Sequence, residues 1–162
     1  FHKQLKEISL LKFKDYKFLI CDFDGVLTDN KVYVSEKGTE TVLCSRSDGI
    51  GFRVFEQNGI IPIILSSEIS PVVIQRAKKL RVNCYNNIKS KRNFLLENNE
   101  LNIETNKSIY VGNDLNDFEA MKLCKLKVCP LDAWSEIKDI SDIVLDINGG
   151  AGVVRLLSSM FS

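Results

Sequence analysis

Short apolar runs that do not alternate with polar residues, each followed by polar turn residues and then a helix-like stretch, limit most strongly how this chain can fold. Phe18–Cys21, 60–65 and Ser108–Val111 are the clearest runs; 82–85, 126–129 and 142–145 are weaker ones. A strand wetted on one face alternates polar and apolar residues. A strand without that alternation is covered on both faces, as in a parallel sheet between two helix layers. Helical spacing follows over 51–58, 71–80, 91–98 and 117–123. Gly59 is placed to cap the first of these, and Ser70-Pro71 supplies an N-cap and a first-turn proline to the second. The pattern predicts an α/β fold: a Rossmann-like open parallel sheet with helices on both faces and right-handed crossovers. Residues 32–34 and 41–43 break the rhythm. They flank Glu36-Lys37-Gly38-Thr39 and predict a small β-hairpin inserted after the first strand.

The 162 residues, 44% hydrophobic and 27% charged, suit one globular domain over 1–162 and argue against disorder. Lys and Arg number 22 against 21 Asp and Glu, a net charge of +1. That balance supplies no basic field for nucleic acid or an anionic membrane. No apolar run approaches the roughly 20 residues that span a bilayer. The first eleven residues lack the apolar block of a signal peptide. Five cysteines, an odd number without C-x-x-C spacing, read as reduced core residues of a cytoplasmic protein.

Open parallel sheets bind ligands beyond the carboxyl ends of their strands, and polar residues follow each strong run here. Asp22-Phe23-Asp24-Gly25 follows the first, Ser66-Ser67-Glu68 the second, and Gly112-Asn113-Asp114-Leu115-Asn116-Asp117 the third; Lys89 and Lys91 follow residues 82–85. Four strand ends thus deliver carboxylates, hydroxyls and a cation toward one edge. Asp22 and Asp24 stand two apart and can point to one side of a strand end. Two carboxylates held close repel, and a hard cation such as Mg²⁺ relieves that repulsion.

The segment F-L-I-C-D-F-D-G-V-L-T-D resembles the first motif of the haloacid dehalogenase superfamily. Ser66, Lys91 and G-N-D-L-N-D follow in the order of its later motifs. With only a hairpin in place of a large cap domain, the chain is similar to the branch of sugar-acid phosphatases that work as homotetramers. That branch takes in octulosonate 8-phosphate and nonulosonate 9-phosphate phosphatases and the C-terminal domains of CMP-sialate synthetases. The resemblance implies Asp22 as the nucleophile, Asp24 as general acid and base, and Ser66 and Lys91 holding phosphoryl oxygens. It implies Mg²⁺ bound by Asp22, the main-chain carbonyl of Asp24, the motif-four side chain and, through water, Asp114. Where the family's motif has Asp, this chain has Asn113, which offers a neutral oxygen. Asp117 is either a partner that orients Lys91 or an acid at the start of the next helix.

The same resemblance implies a small sugar phosphate as substrate, with Ser47, Asp48, Ser67, Glu68, Arg76 and Lys79 as its contacts. Octulosonate enzymes carry T-G-R where this chain has Ser66-Ser67-Glu68. Glutamate accepts hydrogen bonds from hydroxyl or acylamino groups, whereas arginine would pair with a carboxylate. This favours a sialic-acid-type 9-phosphate, with octulosonate 8-phosphate, or a non-catalytic tetramerisation domain, as alternatives. Arg76 and Lys79 share a helix face and, by resemblance, reach a substrate carboxylate across a subunit boundary.

Overall fold

The structure, a computed structural model, describes residues 11–97 and 100–162. The reading of the first ten residues, and the end of the helix placed over 91–98, therefore lie outside the described residues. In chain order the elements are β1 (Phe18–Cys21), β2 (Tyr33–Val34), β3 (Glu40–Thr41), α1 (Asp48–Gln57), β4 (Ile61–Leu65), α2 (Pro71–Leu80) and β5 (Asn83–Tyr85). They continue with α3 (Lys91–Glu97), β6 (Ser108–Val111), α4 (Leu115–Met121), β7 (Leu126–Cys129), α5 (Ser135–Ile140), β8 (Ile143–Val144) and α6 (Val153–Ser158).

Six strands form one sheet in the order β5-β4-β1-β6-β7-β8, every neighbouring pair parallel. All four residues of β1 and of β6 are buried, as their lack of polar alternation requires, with the Ser108 hydroxyl of β6 donating to the Glu104 carbonyl. Successive side chains enter opposite layers. Leu19 and Cys21 pack with Phe52 and Phe55 of α1, Ala77 of α2 and Val154 of α6. Phe18 and Ile20 pack with Leu95 of α3, Met121 of α4 and Ile137 of α5. Helices on both faces explain why neither face of β1 carries a polar side chain.

The chain adds β4 and β5 on one side of β1, then β6, β7 and β8 on the other. This reversal opens a crevice beyond the carboxyl ends of β1, β4 and β6, where an open α/β sheet binds its ligand. The hairpin β2–β3 forms a separate two-stranded antiparallel sheet directly after β1.

α2 spans Pro71–Leu80 as its sequence predicts: the Ser70 hydroxyl accepts from the Val72 N–H at 3.3 Å, and Arg81 ends the helix at φ +60°. Two helices start earlier than their apolar spacing suggests. α1 begins at Asp48 and not at residue 51, because its first turn is held by a partner 106 residues away, Val154. α4 begins at Leu115 and not at residue 117, because Asp114 and Asp117 form a capping box. α5 was not anticipated; within it only Ile137 is buried, too few apolar positions for a visible period.

Candidate active site

Asp22 is the first residue past β1, and its N–H still donates to the Val111 carbonyl of β6 at 2.9 Å. Its Oδ1 accepts from the Phe23 N–H at 2.7 Å and lies 2.7 Å from Lys91 Nζ. Lys91 opens α3 and is 2% exposed; its Nζ also lies 2.7 Å from Asp117 Oδ1. Asp117 is therefore both things its sequence position allowed. Oδ1 takes Lys91 and the Tyr110 hydroxyl at 2.9 Å, and Oδ2 accepts the N–H groups of Asn113 (3.0 Å) and Asp114 (3.4 Å) at the start of α4. Gly112 makes room for it: a Cβ there would come within 2.7 Å of Asp117 Cβ.

Two buried carboxylates thus share one lysine, leaving one surplus negative charge at the base of the crevice. Burial pushes Asp22 up to about 8; the Asp117 charge adds to this, and Lys91 and the Phe23 N–H offset only part. Burial alone would pull Lys91 down, but the two carboxylates hold it above lysine's ordinary value, so it stays charged.

Asp24 is only part-buried. Its Oδ1 accepts from the Thr28 hydroxyl at 3.2 Å. Burial raises its pKa above the usual carboxylate value; Thr28 opposes this, and the nearby Glu68 and Glu40 charges add to it. Its main-chain carbonyl and Asp22 Oδ2 both face the side chain of Asn113, which is 5% exposed. With the amide nitrogen toward them, Asn113 donates to Asp22 Oδ2 at 3.3 Å and to the Asp24 carbonyl at 2.9 Å. With Oδ1 toward them, three oxygens face one another without a proton between them. Gly25, at φ +82°, backs this amide, and a Cβ on it would lie 2.0 Å from Asn113 Nδ2.

These groups open into a cavity of about 360 Å³ lined by Asp22, Asp24, Asn30, Ser66, Ser67, Glu68, Asn113, Asp114 and Asn116. The buried Ser66 hydroxyl accepts from the Glu68 N–H at 3.1 Å, and Asn116 Nδ2 donates to Ser67 Oγ at 3.2 Å across the mouth. A second cavity, about 250 Å³, shares Asp24, Asn30 and Glu68 and runs between the hairpin and α2, walled by Val32, Val42, Val72 and Val73.

Residues 60–157, more than half the chain, match the family model described as haloacid dehalogenase-like hydrolase. The 3-deoxy-D-manno-octulosonate 8-phosphate phosphatase of Salmonella typhi is 32% identical over 150 residues, 90% of this chain and 79% of that protein. The chain belongs to the haloacid dehalogenase-like hydrolases. The Haemophilus influenzae octulosonate phosphatase is 27% identical over 151 residues, 92% of this chain and 84% of its own length. The structure of the Moraxella catarrhalis octulosonate phosphatase, in complex with magnesium, phosphate and KDO, superposes with a TM-score of 0.86 at 27% identity. It covers 98% of this chain and 90% of that one. The Rossmann-like hydrolase fold and the hairpin insertion are as the sequence predicts.

Phosphatases of this family use Mg²⁺. Among the described residues of this hydrolase, no group of three or more His, Cys, Asp or Glu side chains is placed to hold a metal ion. The converging oxygens come instead from one carboxylate (Asp22), one main-chain carbonyl (Asp24) and one amide (Asn113). An all-oxygen set of this kind, short of six donors, fits Mg²⁺, which keeps several waters. The surplus negative charge around Lys91 fits a cation as well. Asp114 lines the cavity, but its Oδ1 is taken up by the Leu115 N–H.

Of the expected substrate contacts, Ser67 and Glu68 line the cavity. Asp48 lines neither cavity. It is 1% exposed, its Oδ1 accepts from the Val154 (2.9 Å) and Arg155 (3.2 Å) N–H groups, and it anchors α6 to α1. Ser47 pairs with Ser45 through their hydroxyls at 2.6 Å and packs against Gly152, away from both cavities. Arg76 donates to the Ser45 carbonyl at 2.8 Å, and Lys79 lies on the exposed face of α2. Asn30 and Asn116 escaped the sequence reading because single asparagines in loops and first turns carry no distinguishing pattern. Tyr110 escaped it because it sits inside an apolar strand.

Asp48 carries a testable cost. Its Oδ2 is buried without a partner among the described residues, and burial pushes its pKa up to about 6, against the two N–H groups and the Arg76 charge. The folded state thus holds this proton more tightly than the unfolded chain, where aspartate titrates near ~3.9. The associated stability is present below pH ~4 and is lost as pH rises to about 6. At about 1.4 kcal/mol per pH unit, the charged form costs about 3 kcal/mol. Asp48→Asn keeps one oxygen for both N–H groups, so its stability relative to wild type is expected to rise by about that amount between pH 4 and pH 7. Urea midpoints across that range measure it, and a difference that does not vary with pH contradicts the assignment.

Proposed function

We propose that this chain is a Mg²⁺-dependent phosphomonoesterase that removes the phosphate from an acidic sugar phosphate, 3-deoxy-D-manno-octulosonate 8-phosphate. The observation that carries the reading is the placement of Asp22, held by Lys91, beside a part-buried Asp24 at the switch point of the sheet. The substrate rests on similarity, since the relatives named above are octulosonate 8-phosphate phosphatases.

The Asp22 carboxylate attacks phosphorus, forming an aspartyl-phosphate as the bond to the sugar oxygen breaks. Asp24, whose raised pKa favours the protonated form, gives its proton to that oxygen, so the sugar leaves as an alcohol. The Asp24 carboxylate then takes a proton from water, whose oxygen attacks the same phosphorus. Inorganic phosphate leaves and Asp22 is regenerated. Lys91 and the Ser66 hydroxyl hold phosphoryl oxygens. Asp22, the Asp24 carbonyl and Asn113 would hold Mg²⁺, which when bound offsets the negative charge of carboxylate and phosphate.

The nine-carbon substrate expected from Glu68 finds no support among the similar proteins. Glu68 instead serves as an acceptor for sugar hydroxyls, alongside Ser67. The homotetramer remains part of the proposal. Val32, Tyr33, Val34 and Leu43 of the hairpin region are 50–74% exposed, an apolar surface suited to burial between copies. In such an assembly Arg76 and Lys79 reach a neighbouring subunit's substrate. No helix among the described residues is long and apolar enough to cross a membrane, and the five free cysteines agree with the reducing cytoplasm proposed here.

Phosphate release from octulosonate 8-phosphate and nonulosonate 9-phosphates, with Mg²⁺ and with EDTA, tests the reading. EDTA-sensitive turnover with the eight-carbon ester preferred is expected. Preference for a nine-carbon ester overturns the substrate assignment and keeps the chemistry. No turnover of either by the folded protein points to the assembly role.

A further inference from the structure

Asn113 stands where the family's fourth motif has a metal-binding aspartate, and its amide presents two chemically different ends where a carboxylate presents one kind. Nitrogen-first, it makes two hydrogen bonds, to Asp22 Oδ2 (3.3 Å) and to the Asp24 carbonyl (2.9 Å). Oxygen-first, it makes neither, and completes a three-oxygen cluster that needs a cation, or a proton on Asp22, between its members. The side chain is 5% exposed and Gly25 lies against it without a Cβ, so either end of the amide fits the same buried slot.

We propose that Asn113 is a metal-gating residue: its amide closes the metal-free site with two hydrogen bonds and must turn over, oxygen inward, to admit Mg²⁺. The inference rests on the Mg²⁺-dependent reading above and concerns how this chain departs from an aspartate at the same place. An aspartate would bring an oxygen against Asp22 Oδ2 and the Asp24 carbonyl in the empty site, and would add a negative charge when metal is bound. Asn113 therefore trades metal affinity for a well-ordered empty site. The protein holds Mg²⁺ reversibly and its site stays intact between loadings.

The test uses EDTA-treated wild type, Asn113→Asp and Asn113→Ala, with calorimetric Mg²⁺ titration and thermal melts that need no substrate. Metal-free Asn113→Asp and Asn113→Ala are both expected to melt below metal-free wild type. Asn113→Asp is expected to bind Mg²⁺ at least about tenfold more tightly than wild type and to gain more in melting temperature on loading. In ¹⁵N-labelled wild type, the Asn113 side-chain amide protons are expected to be protected from exchange without metal and to lose protection with Mg²⁺. That spectrum decides the matter even if a variant fails to fold. Equal affinities with equal metal-free melting temperatures, or amide protons indifferent to Mg²⁺, overturn the gating role alone. Absence of Mg²⁺ binding by both wild type and Asn113→Asp overturns it together with the cofactor reading.

Discussion

Asp22→Asn is expected to abolish phosphate release, lowering kcat by about a thousandfold or more, while leaving the fold intact. The amide has no anionic oxygen to attack phosphorus, yet it keeps the size of the side chain beneath the crevice. The electrostatics make the stability half of this expectation unusual. Asp22 and Asp117 share the buried cation of Lys91, and burial pushes Asp22 up to about 8. Removing one carboxylate leaves a balanced pair, so the metal-free variant is expected to melt no lower than metal-free wild type. Retained turnover removes Asp22 as nucleophile. A large loss of melting temperature contradicts the charge argument instead.

Lys91→Met is expected to have the opposite effect on stability. It leaves two buried carboxylates without their cation, a loss of about 3–5 kcal/mol for breaking a buried pair. For a domain of this size that lowers the melting temperature by roughly 10 °C. It also removes a phosphoryl-oxygen contact, so activity falls with stability. Pairing it with Asp117→Asn separates the two effects. The double variant relieves the repulsion and regains much of the stability, but not the activity. Thermal melts and phosphate release on both proteins check this, and a single variant as stable as wild type contradicts the buried network.

Much of the architecture was legible because it rests on local signals. The unbroken runs of β1 and β6 imply cover on both faces, and Ser70-Pro71 marks the start of α2. Asp22, Ser66 and Asn113 converge because each follows one of the strands that meet at the switch point. What stayed hidden depends on contacts far apart in the chain. Asp48 resembles part of a substrate motif, yet its carboxylate is taken by N–H groups more than 100 residues away. The Tyr110 hydroxyl supports Asp117 from within a strand, between Ile109 and Val111, where no periodicity marks a polar partner. The early start of α4 could have been read from Asp114-Leu115-Asn116-Asp117, whose spacing is that of a capping box.

The account turns on a covalent phosphoryl group on Asp22. An acid quench of the enzyme during turnover, followed by peptide mass spectrometry, measures it directly. Asp24→Asn lacks the acid of the first step as well as the base of the second, so it forms the label slowly and keeps it, and it is quenched after prolonged incubation with substrate. The account predicts phosphate on the peptide containing Asp22, absent when Asp22→Asn is added. Turnover of substrate by wild type with no label on Asp22 in either protein would contradict it.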